Sequence, residues 1–128
     1  MFKNYIKYIL SEFFDKNNNI SYSSLITAQN PQNEKMDSAF NSSSNQALYE
    51  EIVSMGYENA VPTFYYNEIA YIIPNIPKKQ LIDLGKKYNQ KAVFWAYKKD
   101  EIFIWQIIID GKVRAEKPSR NAFVCPKF

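Results

Sequence analysis

Histidine is absent from all 128 residues, so the commonest general base and the commonest metal ligand are both missing. Cysteine occurs once, at Cys125, which excludes an intramolecular disulfide. Only three glycines occur, at 56, 85 and 111, too scattered to form a phosphate-cradling loop. Arginine occurs twice, at 114 and 120. Phosphate readers favour arginine for its forked donors, so the cationic character here is mostly that of lysine. No apolar run approaches the roughly 20 residues of a membrane-spanning helix. The apolar residues near the start are interrupted by Lys3, Lys7, Glu12 and Asp15, so no secretory signal is expected and the expected location is cytoplasmic. Any catalysis must therefore use carboxylates, Lys, Tyr, Ser, Thr or Cys125.

What the chain does have is aromatic bulk. Ten Tyr, nine Phe and two Trp accompany an apolar fraction of 46%, enough to fill the core of one domain spanning 1–128. Charge is divided unevenly. Four Lys against eight acids give residues 1–75 a formal −4, while twelve Lys or Arg against five acids give 76–128 a formal +7. A Lys-rich solvated surface accounts for that asymmetry better than nucleic-acid binding does.

Leu25-Ile26-Thr27-Ala28-Gln29-Asn30-Pro31 is the stretch around which the rest is organised, an apolar strand that stops in hydroxyl, amide and chain-turning residues. Before it, Phe2, Tyr5, Ile6, Ile9, Leu10 and Phe13 recur at helical spacing and predict an opening amphipathic helix. After it, Gln29–Ser44 reads as a polar loop of about sixteen residues, a length that within a compact domain signals function or disorder. Ser43 with Gln46 reads as a capping box for a second helix, with Leu48, Ile52 and Met55 on its face and Gly56 as its stop. Asn45 then falls in the first turn, where free N–H groups favour anions.

Runs 61–66 and 69–73 flank Asn67-Glu68 and predict a hairpin or a tight bend, with Pro62 placing the first strand at an edge or marking its start. Pro77 opens a third helix with Leu81, Leu84, Gly85 and Tyr88 inward and lysines outward. Ala92–Tyr97, Ile102–Ile109 and Lys112–Glu116 are strands joined by Lys98–Glu101 and by the Asp110-Gly111 hairpin signal. Ala122–Cys125 is a candidate last strand. The order αβαββαβββ predicts an α+β single domain, its helices packed against a largely antiparallel sheet.

No standard catalytic motif is present, and no metal site is assigned. Asp37 and Glu68 are candidates for an acid pair or a magnesium site, with solvated loop acids as the simpler account. Cys125, beside Phe123 and Val124, reads as a buried structural thiol.

A pattern does run through the polar residues: Ile26-Thr27-Ala28-x-Asn30-Pro31, Asn45 ahead of Leu48, Glu68 leading into an apolar strand, then Tyr88-Asn89-Gln90-x-Ala92-Val93-Phe94. Over about residues 20–97 it resembles the bacterial family of domains of unknown function numbered 3293. Pro62 and Tyr65-Tyr66 stand where that family usually places glycine and tryptophan ahead of the glutamate. The resemblance implies no activity or cofactor.

If the ends carrying Thr27, Asn30, Asn45, Glu68 and Gln90 converge, they form a pocket of neutral donors and acceptors with one carboxylate. Tyr65 and Tyr66 would then be free to stack on a flat ligand. That chemistry suits a small polar or nucleotide-like ligand. The alternative is that these amides are buried and satisfy loop backbone. Two other readings remain open: a small enzyme with Glu68 as acid or base, and a protein-interaction or inhibitor domain of a mobile element or bacterial defence system. Oligomeric state is not legible.

Overall fold

The computed structural model describes residues 20–128. The expected opening helix lies outside the described residues. From there the order is β1 (Tyr22–Ile26), a 3-10 turn (Pro31–Asn33), α1 (Ser38–Ser54), β2 (Val61–Tyr65), β3 (Glu68–Ile72), α2 (Lys78–Lys87), β4 (Ala92–Lys99), β5 (Ile102–Ile109) and β6 (Lys112–Ser119). All strand pairs are antiparallel, in the order β2-β3-β1-β4-β5-β6. β3 and β4 both run against β1, so they are parallel to each other and α2 is the crossover between them.

β1 sits in the middle because it can be buried on both faces. Leu25 and Ile26 point to opposite sides, and the only polar side chains it buries, Ser23 and Ser24, give their hydroxyl protons to the carbonyls of Ala122 and Ile73. On one face α1 and α2 close a core of Ile26, Leu48, Ile52, Leu81, Leu84 and Ile108. The other face buries Leu25, Ile72, Phe103 and Trp105, with Ala122 and Phe123 from the C-terminal segment packed among them. Gly85 permits the close approach of α2, because a Cβ there would lie 2.7 Å from Cγ1 of Val93.

Several local expectations need correction. Residues 38–44 belong to α1, so the long loop shrinks to a contorted segment around the 3-10 turn. The N-cap is Asp37, whose Oδ1 accepts from the Phe40 N–H at 2.7 Å, and the Ser43/Gln46 capping box does not form. Asn45 is therefore well inside the helix and meets no free helix-end N–H groups. Met55 is the C-cap and 39% exposed, so it is not part of the inner face. Pro77 is the N-cap of α2 rather than its first residue. Ala122–Cys125 forms no strand: Ala122 and Phe123 are buried as irregular chain held by Ser23, Ser119 and Asn121.

The expected hairpins form, but the first turns at Tyr66-Asn67 with Glu68 already in β3, and the second at Asp100-Glu101 with Lys98 and Lys99 in β4. β2 is an edge strand carrying Pro62, and it turns into β3 through Tyr66-Asn67, both at positive φ (51° and 63°). At the other edge, β6 exposes Lys112, Arg114 and Lys117 along with Pro118, residues that discourage strand addition.

Candidate functional site

The start of β3 divides the candidate residues, because successive side chains of a strand leave it on opposite sides. Glu68 and Ala70 lie on one face. Thr27, two residues beyond Leu25 on β1, lies on the same side, and so does Gln90, which precedes Ala92 and Phe94 on β4. Together with Tyr65, Tyr66 and Asn33 they line a cleft of about 220 Å³. Asn30 and Asn45 line a different cleft, of about 490 Å³, on the far side, with Asn67 and Ile69. The expected single pocket is thus two. Four of the six candidates share the first, and Asn30 and Asn45 belong to the second.

Between the clefts lies a seam of side-chain amides. Asn45, 4% exposed, accepts from the Ala28 N–H at 2.8 Å and donates to the Ile69 carbonyl at 2.9 Å, joining the end of β1 to the start of β3. Asn30 adopts a left-handed conformation (φ 47°) that asparagine tolerates well. Its Oδ1 accepts from Met36 N–H at 2.9 Å and Asn41 Nδ2 at 3.0 Å, while its Nδ2 donates to Glu68 Oε1 at 2.8 Å. Its own N–H goes to Asn41 Oδ1 at 2.9 Å. Gln32, at φ 53°, is held by Asn89: its N–H donates to the Asn89 carbonyl at 2.9 Å, and its Nε2 donates to the carbonyl and Oδ1 at 3.1 Å each. Asn30 and Gln90, the two amides for which backbone satisfaction was the alternative, do bond loop backbone but are half-buried, whereas Asn45 is buried and not a surface residue.

In the first cleft the bonding leaves a definite residue of chemistry. Thr27 Oγ1 is fully used, donating to the Ile69 carbonyl at 2.7 Å and accepting from Gln29 N–H at 3.1 Å. Gln90 Nε2 donates to the carbonyls of Gln29 and Tyr88. Among the described residues, Glu68 Oε2 and Gln90 Oε1 have no partner. Both are acceptors.

The aromatic wall is built by edge contacts, with Tyr65 4.6 Å from Tyr66 and 4.9 Å from Phe94. The Tyr65 hydroxyl points away, donating to the Pro126 carbonyl at 2.9 Å, and burial pushes its pKa up. Tyr66 is 56% exposed. A bulky residue at φ 51° in the first turn position, where Asn, Asp or Gly is usual, carries strain of about 1–2 kcal/mol.

Asp37 does not join Glu68: its carboxylate caps α1. Among the described residues no three His, Cys, Asp or Glu side chains gather as metal ligands would. Cys125 has its pKa pushed up to about 12 by burial, an inert thiol of the kind its apolar neighbours indicated. Sequence reasoning passed over Asn41, Asn33 and Phe94. Asn41 lies four residues after the Asp37 cap and Phe94 shares the two-residue period of Gln90, and those were the available signals.

The family described as protein of unknown function (DUF3293) matches residues 26–93, more than half of the chain. The chain belongs to that family. The match bears out the resemblance read from the Thr27-to-Phe94 pattern, and it contains all six candidate residues. It ends before β5 and β6, so the basic edge is outside it. No curated protein and no solved structure matches the chain. No helix among the described residues is long and apolar enough to cross a membrane.

Proposed function

We propose that this domain binds a small flat ligand that presents hydrogen-bond donors, of the kind an amino-substituted nucleobase or its nucleoside offers, in the cleft between Tyr66, Glu68 and Gln90. The observation that carries the reading is the free Glu68 carboxylate oxygen beside exposed ring surface. Glu68 Oε2 and Gln90 Oε1 are acceptors, and Tyr65, Tyr66 and Phe94 supply apolar ring surface beside them. Glu68 is the one carboxylate among the lining residues, and no Lys or Arg accompanies it. A phosphate beside Glu68 would meet that negative charge, and the nearby Lys127 ammonium lies over the Tyr66 ring rather than among the lining residues, so the reading favours a base or nucleoside over a nucleotide. It concerns recognition and assigns no reaction.

The test is calorimetric titration with cytidine, guanosine, adenosine, uridine and cytidine 5′-monophosphate, on the wild type and on Glu68→Gln. Binding of an amino-bearing nucleoside, weakened by about tenfold or more in the variant as a charge-assisted bond is lost, is the expected result. Equal affinity for uridine or for the monophosphate, or full binding by Glu68→Gln, would sink the reading.

A further inference from the structure

The second cleft carries its own chemistry. α1 places Ser38, Asn41, Ser42, Asn45 and Gln46 at spacings of three, four, seven and eight, which is one stripe of the helix. An amphipathic helix normally puts apolar residues on the stripe that faces the protein. Here Asn45 is buried and Asn41 half-buried against the sheet, Ser38, Ser42 and Gln46 stand exposed at the cleft rim, and the apolar anchors Leu48 and Ile52 begin only afterwards. Opposite the stripe stand Gln29, Asn67, Ile69 and Tyr71, enclosing about 490 Å³ with no carboxylate, ammonium or guanidinium among the lining residues. In a chain with 23% charged residues, a cleft of that size without one is distinctive.

Its floor is fixed and its walls are free. Asn30, Asn41 and Asn45 are held by the bonds already described. Among the described residues, the hydroxyls of Ser38 and Ser42, the Asn67 amide, Gln29 Nε2 and Gln46 Oε1 have no partner. Of the backbone donors at the helix start, the Phe40 and Asn41 N–H groups are both held by Asp37. Ile69 is 41% exposed beside the Tyr71 ring, giving an apolar strip against the polar stripe.

Free donors and free acceptors therefore occur together without net charge next to apolar surface. A ring polyol has that pattern in complement, since every hydroxyl both donates and accepts while the ring's C–H face is apolar. We infer that the cleft between α1 and the β2–β3 hairpin is a binding site for a neutral saccharide unit, separate from the aromatic cleft.

Amide chemical shifts in the full chain test this, with glucose, galactose, maltose and lactose titrated and glycerol as an open polyol lacking a ring face. One sugar is expected to move the resonances of Ser38, Ser42, Gln46, Asn67 and Tyr71, while glycerol moves none. The disaccharides distinguish a free sugar from a unit of a longer chain by tighter binding. Ser42→Leu, at an exposed helical position, and Asn67→Gly, compatible with its positive φ, should each weaken the response about tenfold. Phe94→Leu, which alters the aromatic cleft and lines only that one, should leave it unchanged, which keeps the two sites distinguishable. No movement with any sugar, equal movement with glycerol, or movement confined to Tyr66 and Gln90 would overturn the inference.

Discussion

The two sides of β3 differ by one residue of register and by everything in their chemistry. Glu68 and Ala70 look onto rings and a carboxylate; Ile69 and Tyr71 look onto a neutral field of amides and hydroxyls. One hairpin turn serves both, giving Tyr66 to the first cleft and Asn67 to the second. The difference teaches that the polar residues do two jobs. Amides at the seam are spent on backbone, and what remains unbonded is sorted by the pleat into an acceptor-rich cleft and a balanced one.

The largest test breaks both sides together. Asn45→Leu keeps the size but leaves the Ala28 N–H and the Ile69 carbonyl without their amide partner, and should cost about 3 kcal/mol in denaturant unfolding. A loss below about 1 kcal/mol would mean that the seam is not what holds β1 to β3.

Gly85→Ala strains one side only. Its Cβ would press on Val93, lifting α2 and with it Gln90, whose N–H is held by the Gly85 carbonyl at 2.8 Å. A destabilisation of about 2 kcal/mol is expected, largely relieved in the double variant with Val93→Ala. Amide shifts should move around the aromatic cleft and stay put at Ser42 and Gln46.

Tyr66→Asn sharpens the contrast further. It removes the ring's edge contact with Tyr65 but also the backbone strain at φ 51°, so stability should stay within about 0.5 kcal/mol of wild type. Nucleoside binding should fall while the saccharide response persists. A marked loss of thermal stability would show the ring to be structural.

The smallest effect is remote from both clefts and serves as their control. Lys87, whose ammonium lies 2.9 Å from Glu51 Oε1, holds the Glu51 carboxyl below its ordinary value of 4.5; burial opposes this and the Tyr88 hydroxyl assists it. A depressed carboxyl stabilises the fold above its unfolded pKa, and that stabilisation is lost as pH falls through the lower folded value. Because Lys87 is largely exposed, the contribution is about 0.5 kcal/mol, read as a shallower acid-side decline of stability in Glu51→Gln. Neither binding response should change.

The helices show why some of this was legible. α2 alternates Leu81 and Leu84 with Lys78, Lys79, Lys86 and Lys87, so its period can be read directly. α1 hides its first two turns because they are largely polar, and a hydropathy pattern sees a loop. The same property that concealed the helix lines the second cleft. Ser43 with Gln46 was the cap signal on offer, whereas the helix starts earlier, where the Asp37 carboxylate accepts from the Phe40 N–H.

Sequence alone was enough for the order of elements from β1 to β6 along the chain, the Asp110-Gly111 turn and the family, since each depends on local period, turn chemistry or residue identity. It also named the polar residues at the element ends. Only the tertiary structure decided which of them bond one another and which face of β3 each one serves. Those outcomes depend on strand register and on partners distant in the chain, such as Asn30 with Glu68 and Ala28 with Asn45, which no local pattern encodes.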